Sequence, residues 1–249
     1  LCSTDARTVP APKEANLADP VIARINSDNE AARKQADVIG AKTIGTATAP
    51  ITTASDAQDS SFGSSVRNRE SAMSNMVAQM FKDTLGKDDP NFIGIQNPGG
   101  TRASLQSGEI TYKDAALVLP FANSLMTTTV TGEQFKQVLE EQWQHDEKGQ
   151  VPSRPFLSLG LSNNVSYTYD ENLPEGQRIT SVWVNGKPID PKASYTVGSG
   201  SFLINGGDNF HTLAKGSRPV DTGKVDLDTW VSWIKDQGKL TPSFARRGV

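Results

Sequence analysis

A helical stripe that runs straight into a short apolar segment constrains this chain more than any other feature. Met73, Met76, Val77, Met80, Phe81 and Leu85 recur at helical spacing, and Gly86 stands where such a helix would end. The segment Phe92 to Gln96 then reads as a strand. A helix with one apolar face beside a strand must be buried in a layered domain, so bundle-only and repeat architectures fit poorly. No period of about 20 to 50 residues is visible, which disfavours a solenoid or propeller.

The rest of the chain extends that pattern. Thr131-Gly132-Glu133-Gln134 is a capping box that opens a helix burying Phe135, Val138, Leu139 and Trp143, and a third helix presents Leu227, Trp230, Val231 and Ile234. Strands are expected at 125–130, 156–161, 165–169, 179–184 and 195–200, with Asn185-Gly186 as a type I′ hairpin turn. The fold class that follows is α+β, a layered α/β/β/α-type domain with mixed sheets. Ahead of it, residues 1–18 are rich in proline, alanine and charge and read as a linker. Asp19-Pro20 caps a long helix ending at Gly40, and residues 41–66 hold a short strand and an exposed Ser/Asp-rich loop. The organisation read from sequence is linker 1–18, connector helix and loop 19–60, and compact domain 61–249.

Composition narrows the partners. With 25 basic against 28 acidic residues, the chain lacks a surface built to neutralise a polyphosphate backbone, so nucleic acid is not an expected partner. No stretch is apolar and long enough to suggest a membrane span. Cys2 is the single cysteine, which excludes a disulfide framework and a cysteine metal site. The first residues lack the basic start and apolar run of a signal peptide and read as a fragment or a mature product.

Three loops carry residues suited to a ligand. Asn97-Pro98-Gly99-Gly100-Thr101-Arg102 follows the apolar strand; its glycines permit close backbone approach, and its arginine offers a planar fork for carboxylate or phosphate. The same residues would also make an ordinary tight turn with a surface ion pair. The second loop is Leu119-Pro120-Phe121-Ala122-Asn123. The third runs from Ser201 to Phe210, where Phe202 and Phe210 flank Gly206, Gly207, Asp208 and Asn209. Aromatic rings beside such polar groups can stack a flat heterocycle while binding its edge and sugar hydroxyls.

In this order the motifs resemble the C-terminal domain of the 5'-nucleotidase family, which includes UDP-sugar hydrolases, ecto-5'-nucleotidases and 2',3'-cyclic-nucleotide phosphodiesterases. Arg67-Asn68-Arg69-Glu70-Ser71 leads into the methionine-striped helix. Asn97-x-Gly-Gly-x-Arg102, Leu119-Pro-Phe121, Thr131-Gly132, Phe156-Leu157 and Ser201-Phe-Leu-x-Asn-Gly-Gly-Asp208-x-Phe210 follow, so the resemblance runs from about Ser65 to Trp233. It implies that Phe121 and Phe202 sandwich the base and that Asp208 binds the ribose hydroxyls. Asn97, Arg102 and Arg67 would hold sugar and phosphate oxygens, and Asn123 would meet the base edge. One departure stands out: many relatives place a glycine pair after the Phe-Leu strand, whereas this chain reads Phe156-Leu157-Ser158-Leu159-Gly160-Leu161. Arg69 reads as a helix-entry ion-pair partner of Glu70 or as a solvated charge, with direct ligand contact as the lesser alternative.

The resemblance also implies a missing upstream catalytic domain with two divalent metal ions, nucleotide ligands such as adenosine or AMP, a role in nucleotide catabolism, and a secreted, periplasmic or cell-surface location. Within this chain no catalytic residue, metal ligand or cofactor is expected. His145 and His211 are its two histidines, and neither stands in an Asp-x-His, Gly-Asn-His or Gly-His-x-His arrangement. On this reading the chain alone is inactive while the full-length protein is a phosphoric ester hydrolase. The alternative is a non-catalytic surface interaction or adhesion module.

Overall fold

The structure is a computed structural model that describes residues 19–55 and 66–249. The linker read at 1–18 and most of the Ser/Asp-rich loop lie outside the described residues. The chain divides into two units, 1–42 and 43–249.

The first unit holds helix α1, Pro20–Gly40. Its start follows from the residues: Asp19 Oδ1 accepts the Val21 N–H at 2.8 Å, and Pro20 occupies a first-turn position where no N–H is needed. Val21, Ile25, Val38 and Ile39 are exposed along it.

The second unit begins with strand β1, Thr43–Ala47, ahead of the boundary at 61 read from the sequence. The earlier start has a physical cause. Ile44, Ala47 and Ile51 are buried, and Ile51 bridges Leu105 through paired backbone hydrogen bonds of 2.9 Å. After β1 come α2 (Ala72–Leu85), β2 (Phe92–Gln96), β3 (Gly108–Thr111), α3 (Tyr112–Val118), β4 (Ser124–Thr131), α4 (Gly132–Glu140) and β5 (Gly160–Leu161). The chain continues through β6 (Val165–Tyr169), β7 (Ile179–Val184), β8 (Lys187–Pro188), β9 (Ser194–Gly200), α5 (Ser201–Ile204), α6 (His211–Ala214), β10 (Ser217–Val225), α7 (Asp226–Gln237) and β11 (Lys239–Leu240).

A five-stranded mixed sheet in the order β10-β4-β9-β2-β5 forms the centre, and three-stranded sheets β11-β1-β3 and β6-β7-β8 accompany it. One buried cluster joins Ile93, Ile95 and Val197 of the central sheet to Phe135, Val138 and Leu139 of α4 and to Val165, Ile179 and Val182 of the small sheet. A second joins Met73, Val77 and Phe81 of α2 to Val118 of α3, Trp230 and Ile234 of α7, and Ile44 and Ile110. The α+β layering expected from the sequence is the observed architecture.

Local signals act where they stand in the chain. Thr131 Oγ1 accepts the Gln134 N–H at 3.1 Å while Gln134 Oε1 accepts the Thr131 N–H at 2.8 Å, closing the capping box. Asn185 and Gly186 adopt φ of 51° and 71°, as a type I′ turn between β7 and β8 requires. Two expectations change. Helix α4 stops at Glu140, so Trp143 is not helical; it bridges Phe156, and the rings meet edge to face at 5.0 Å. Of the strand read at 156–161, only Gly160–Leu161 joins the central sheet, because the Leu157 and Ser158 amides donate to the Gln142 and Arg67 carbonyls instead.

Candidate functional site

Sheet register brings the three loops to one end of the central sheet. Strands β2 and β9 are parallel, with Gly94 opposite Gly198, so the loop after Gln96 and the loop after Gly200 leave from the same edge. Strands β4 and β9 are antiparallel, with Leu125 opposite Gly200. Phe121, just before β4, and Phe202, just after β9, therefore emerge at that same end. The carboxyl ends of parallel strands are the usual place for ligand crevices in such sheets.

The polar part of the site is held tightly. Asn97 is 7% exposed, and its amide donates to Asp208 Oδ2 at 2.7 Å. Arg102 Nη1 donates to the Gly99 carbonyl at 3.4 Å, and its own N–H is fixed to Val118 O at 2.9 Å. Arg67 lies across Gly99, where a Cβ would approach Nη1 to 2.8 Å, so the missing side chain at 99 makes room for the guanidinium. Burial first, then the positive charges of Arg154 and Arg102, holds the Arg67 guanidinium below its ordinary pKa, and Asp208 acts in the opposite direction. Arg67, Asn97, Arg102 and Asp208 thus share one neighbourhood.

Arg154 belongs to it as well and was missed in the sequence. It enters through backbone bonds: Ser158 donates to Arg67 O and Gln144 donates to Pro155 O, each at 2.9 Å. The only signal in the sequence was a cation directly before the Pro155-Phe156-Leu157 run.

The aromatic part is open. Phe121 is 57% exposed and Phe202 50% exposed, whereas Phe210 is fully buried in the core and unavailable to a ligand. Phe202 rests against Gly207, in a loop whose Asp208 and Asn209 both adopt left-handed backbone with φ of 52° and 61°. Asn209 then donates to Gln144 Oε1 at 2.9 Å. Ala122, beside Phe121, is also left-handed at φ 51°, a conformation that alanine rarely adopts and that the surroundings must enforce.

A model of the 5'-nucleotidase C-terminal domain matches residues 43–215. The chain belongs to the 5'-nucleotidase C-terminal domain family. Among its relatives, a probable 5'-nucleotidase of Treponema pallidum is 31% identical over 198 residues, covering 74% of this chain and 31% of that protein. An NAD 5'-nucleotidase of Haemophilus influenzae is 32% identical over 155 residues, covering 57% and 25%. The crystal structure of a 5'-nucleotidase precursor from Thermus thermophilus superposes with a TM-score of 0.73 at 26% identity, covering 91% of this chain and 43% of that one. The chain spans about a third or less of these two curated relatives.

Other residues read from the family motifs have local partners. The Asn123 amide donates to Asp226 Oδ2 at 3.1 Å, and its carbonyl accepts the Asp226 N–H at 3.0 Å, which ties the loop to the start of α7. Arg69 donates to Ser55 O at 3.3 Å rather than pairing with Glu70. His145 Nε2 lies 3.4 Å from Glu175, while His211 Nε2 is buried without a hydrogen-bond partner among the described residues. Among those residues no group of three or more His, Cys, Asp or Glu could hold a metal ion. A cleft of about 610 Å³ is lined by Arg69, Phe156, Tyr169 and Phe244 and lies apart from the three loops.

Proposed function

We propose that this chain is the nucleotide-recognition part of a 5'-nucleotidase-type phosphoesterase, with hydrolysis carried out by a two-metal domain elsewhere in a longer protein. The base stacks between Phe121 and Phe202, Asp208 accepts the ribose hydroxyls, and Asn97, Arg102 and Arg67 bind sugar and phosphate oxygens. The Asn123 carbonyl oxygen or amide meets the base edge. Binding energy at base and sugar then positions the scissile phosphate for attack. The same reading assigns the protein to nucleotide catabolism in the periplasm, outside the cell or at its surface. No helix among the described residues is long and apolar enough to cross a membrane.

The observation that carries this reading is two half-exposed phenylalanines at the same sheet end as the Asn97–Asp208 pair and its arginines. A half-exposed ring forgoes about half of the roughly 1.5–3 kcal/mol that full burial gives, and a stacked heterocycle would recover part of it. Stacking on an aromatic side chain contributes about 1–3 kcal/mol per base. Calorimetric titration with adenosine and AMP, with Phe121→Ala and Phe202→Ala alongside, tests it. Binding in the wild type that weakens in both variants supports the reading; absence of wild-type binding favours an interaction module. A phosphate-release assay with added divalent metal accompanies it, and turnover by the purified chain would overturn the assignment of chemistry to another domain.

A further inference from the structure

Glu70 lies outside the loops assigned to the nucleotide, yet it accepts more hydrogen bonds than any role as a surface charge requires. Its Oε1 accepts the Asn75 amide at 2.6 Å and the Arg247 N–H at 2.8 Å, and its Oε2 accepts the Arg247 and Gly248 N–H groups at 3.0 and 3.4 Å. Segment 247–249 runs alongside β6 through a parallel bridge between Gly248 and Tyr167. Tyr167 donates to Arg247 O at 2.7 Å, Val249 to Tyr167 O at 3.1 Å, and Tyr169 to Val249 O at 3.0 Å. Gly248 is required at its position, because a Cβ would meet the Tyr167 ring at 2.5 Å. Arg247 is 8% exposed and bonds Asn163, so a guanidinium is buried with Glu70 as the nearby opposite charge.

From Glu70 the network continues towards the site. Asn75 Oδ1 accepts the Leu161 N–H at 2.9 Å, and Leu161 pairs with Ile95 of β2, the strand that delivers Asn97. One residue earlier on α2, the Ser74 hydroxyl meets the Thr101 hydroxyl at 2.9 Å inside the loop 97–102. Arg67 is three residues upstream of Glu70, and its carbonyl is bonded by Ser158. We propose that Glu70 is a positioning residue: by clasping segment 247–249 to the first turn of α2, it holds Arg67 and the loop 97–102 in place for an anionic nucleotide. The proposal rests on the nucleotide reading above.

The test is calorimetric titration of the full chain with AMP and with adenosine, together with amide hydrogen exchange at Gly100 and Arg102. Wild type is compared with Glu70→Gln, Glu70→Asp, Gly248→Leu and the control Phe244→Ala, all well below their melting temperatures. Glu70→Gln and Gly248→Leu are expected to weaken AMP by roughly threefold to thirtyfold, the span of network couplings. Adenosine should weaken less, Glu70→Asp should recover part of the loss, and exchange at both amides should accelerate. Phe244→Ala, whose side chain is exposed, should change neither readout. If Glu70→Gln does not fold, Gly248→Leu and Glu70→Asp are read in its place. Folded variants with AMP affinity and exchange within about twofold of wild type would overturn the proposal, since couplings in such networks are larger than that. Should AMP fail to bind the wild type, the nucleotide reading falls and exchange alone decides: faster exchange supports the clasp, unchanged exchange overturns it.

Discussion

The Asn97 amide donates to Asp208 Oδ2 across 2.7 Å and joins two loops that are 111 residues apart in the sequence. One carboxylate oxygen is thereby fixed, and Asp208 itself adopts a left-handed backbone at φ 52° and ψ 35°. Asp208→Ala should weaken adenosine binding by about 1.5–3 kcal/mol, the range for a hydrogen bond to a charged group, while Asn97→Ala should cost less. Titration calorimetry with adenosine reads both. Equal affinities in wild type and Asp208→Ala would remove the ribose role from this residue.

The charge around Arg67 makes a second prediction. Arg102 and Arg154 both act on it, with Asp208 as the opposing charge. Arg154→Ala should leave adenosine affinity unchanged and weaken AMP by about 0.2–1 kcal/mol, the scale of an exposed charge contact. The loss should shrink as salt rises. Parallel titrations at low and high salt check this, and an equal loss for both ligands would show that Arg154 supports the loop rather than the phosphate.

Ala122 supplies a test that needs no ligand. At φ 51°, a β-branched side chain is strained, so Ala122→Val should cost about 1–2 kcal/mol of stability. Ala122→Gly should stay within about 1 kcal/mol of wild type, because relief of strain is offset by backbone entropy. Urea unfolding of the two variants distinguishes these outcomes, and equal stability of both would contradict the backbone conformation.

A fourth prediction concerns pH. Burial raises the Glu141 carboxyl above the usual glutamate range, although the Thr212 N–H and hydroxyl, at 3.0 and 2.6 Å, favour its ionised form. Between the unfolded and the raised folded values, the native state binds more protons than the unfolded chain. Stability from this group is therefore full below the ordinary glutamate value and is lost as pH rises through the raised one. Glu141→Gln should reduce the fall in melting temperature as pH rises from the ordinary glutamate range through the raised value, relative to wild type. A wild-type pH profile retained by the variant would rule out Glu141 as a source.

Much of the fold was legible because its signals are local. The methionine stripe, the Thr131–Gln134 box and the Asn185-Gly186 turn each act within a few residues and gave α2, α4 and the β7–β8 hairpin. Helix α3 was passed over although Thr111 and Asp114 form a capping box, because only Ala115 and Val118 are buried along it. Strand β10 carried no alternation to read: its side chains are mostly exposed, and backbone pairing with β4 defines it. At the site, the sequence motifs named residues that register then gathered. Arg154 and the Glu70 clasp were invisible, since both depend on backbone bonds between distant segments, Ser158 to Arg67 and Arg247 to Glu70. Phe210 was the opposite case, a residue typed for stacking that the fold placed in the core.

The most direct measurement is a solution nuclear Overhauser experiment on the chain saturated with AMP, observing contacts from the adenine ring protons. The expected result is contacts to the ring protons of both Phe121 and Phe202 and none to Phe210. Saturable binding with adenine contacts to neither exposed phenylalanine would contradict the stacking role given to this pair.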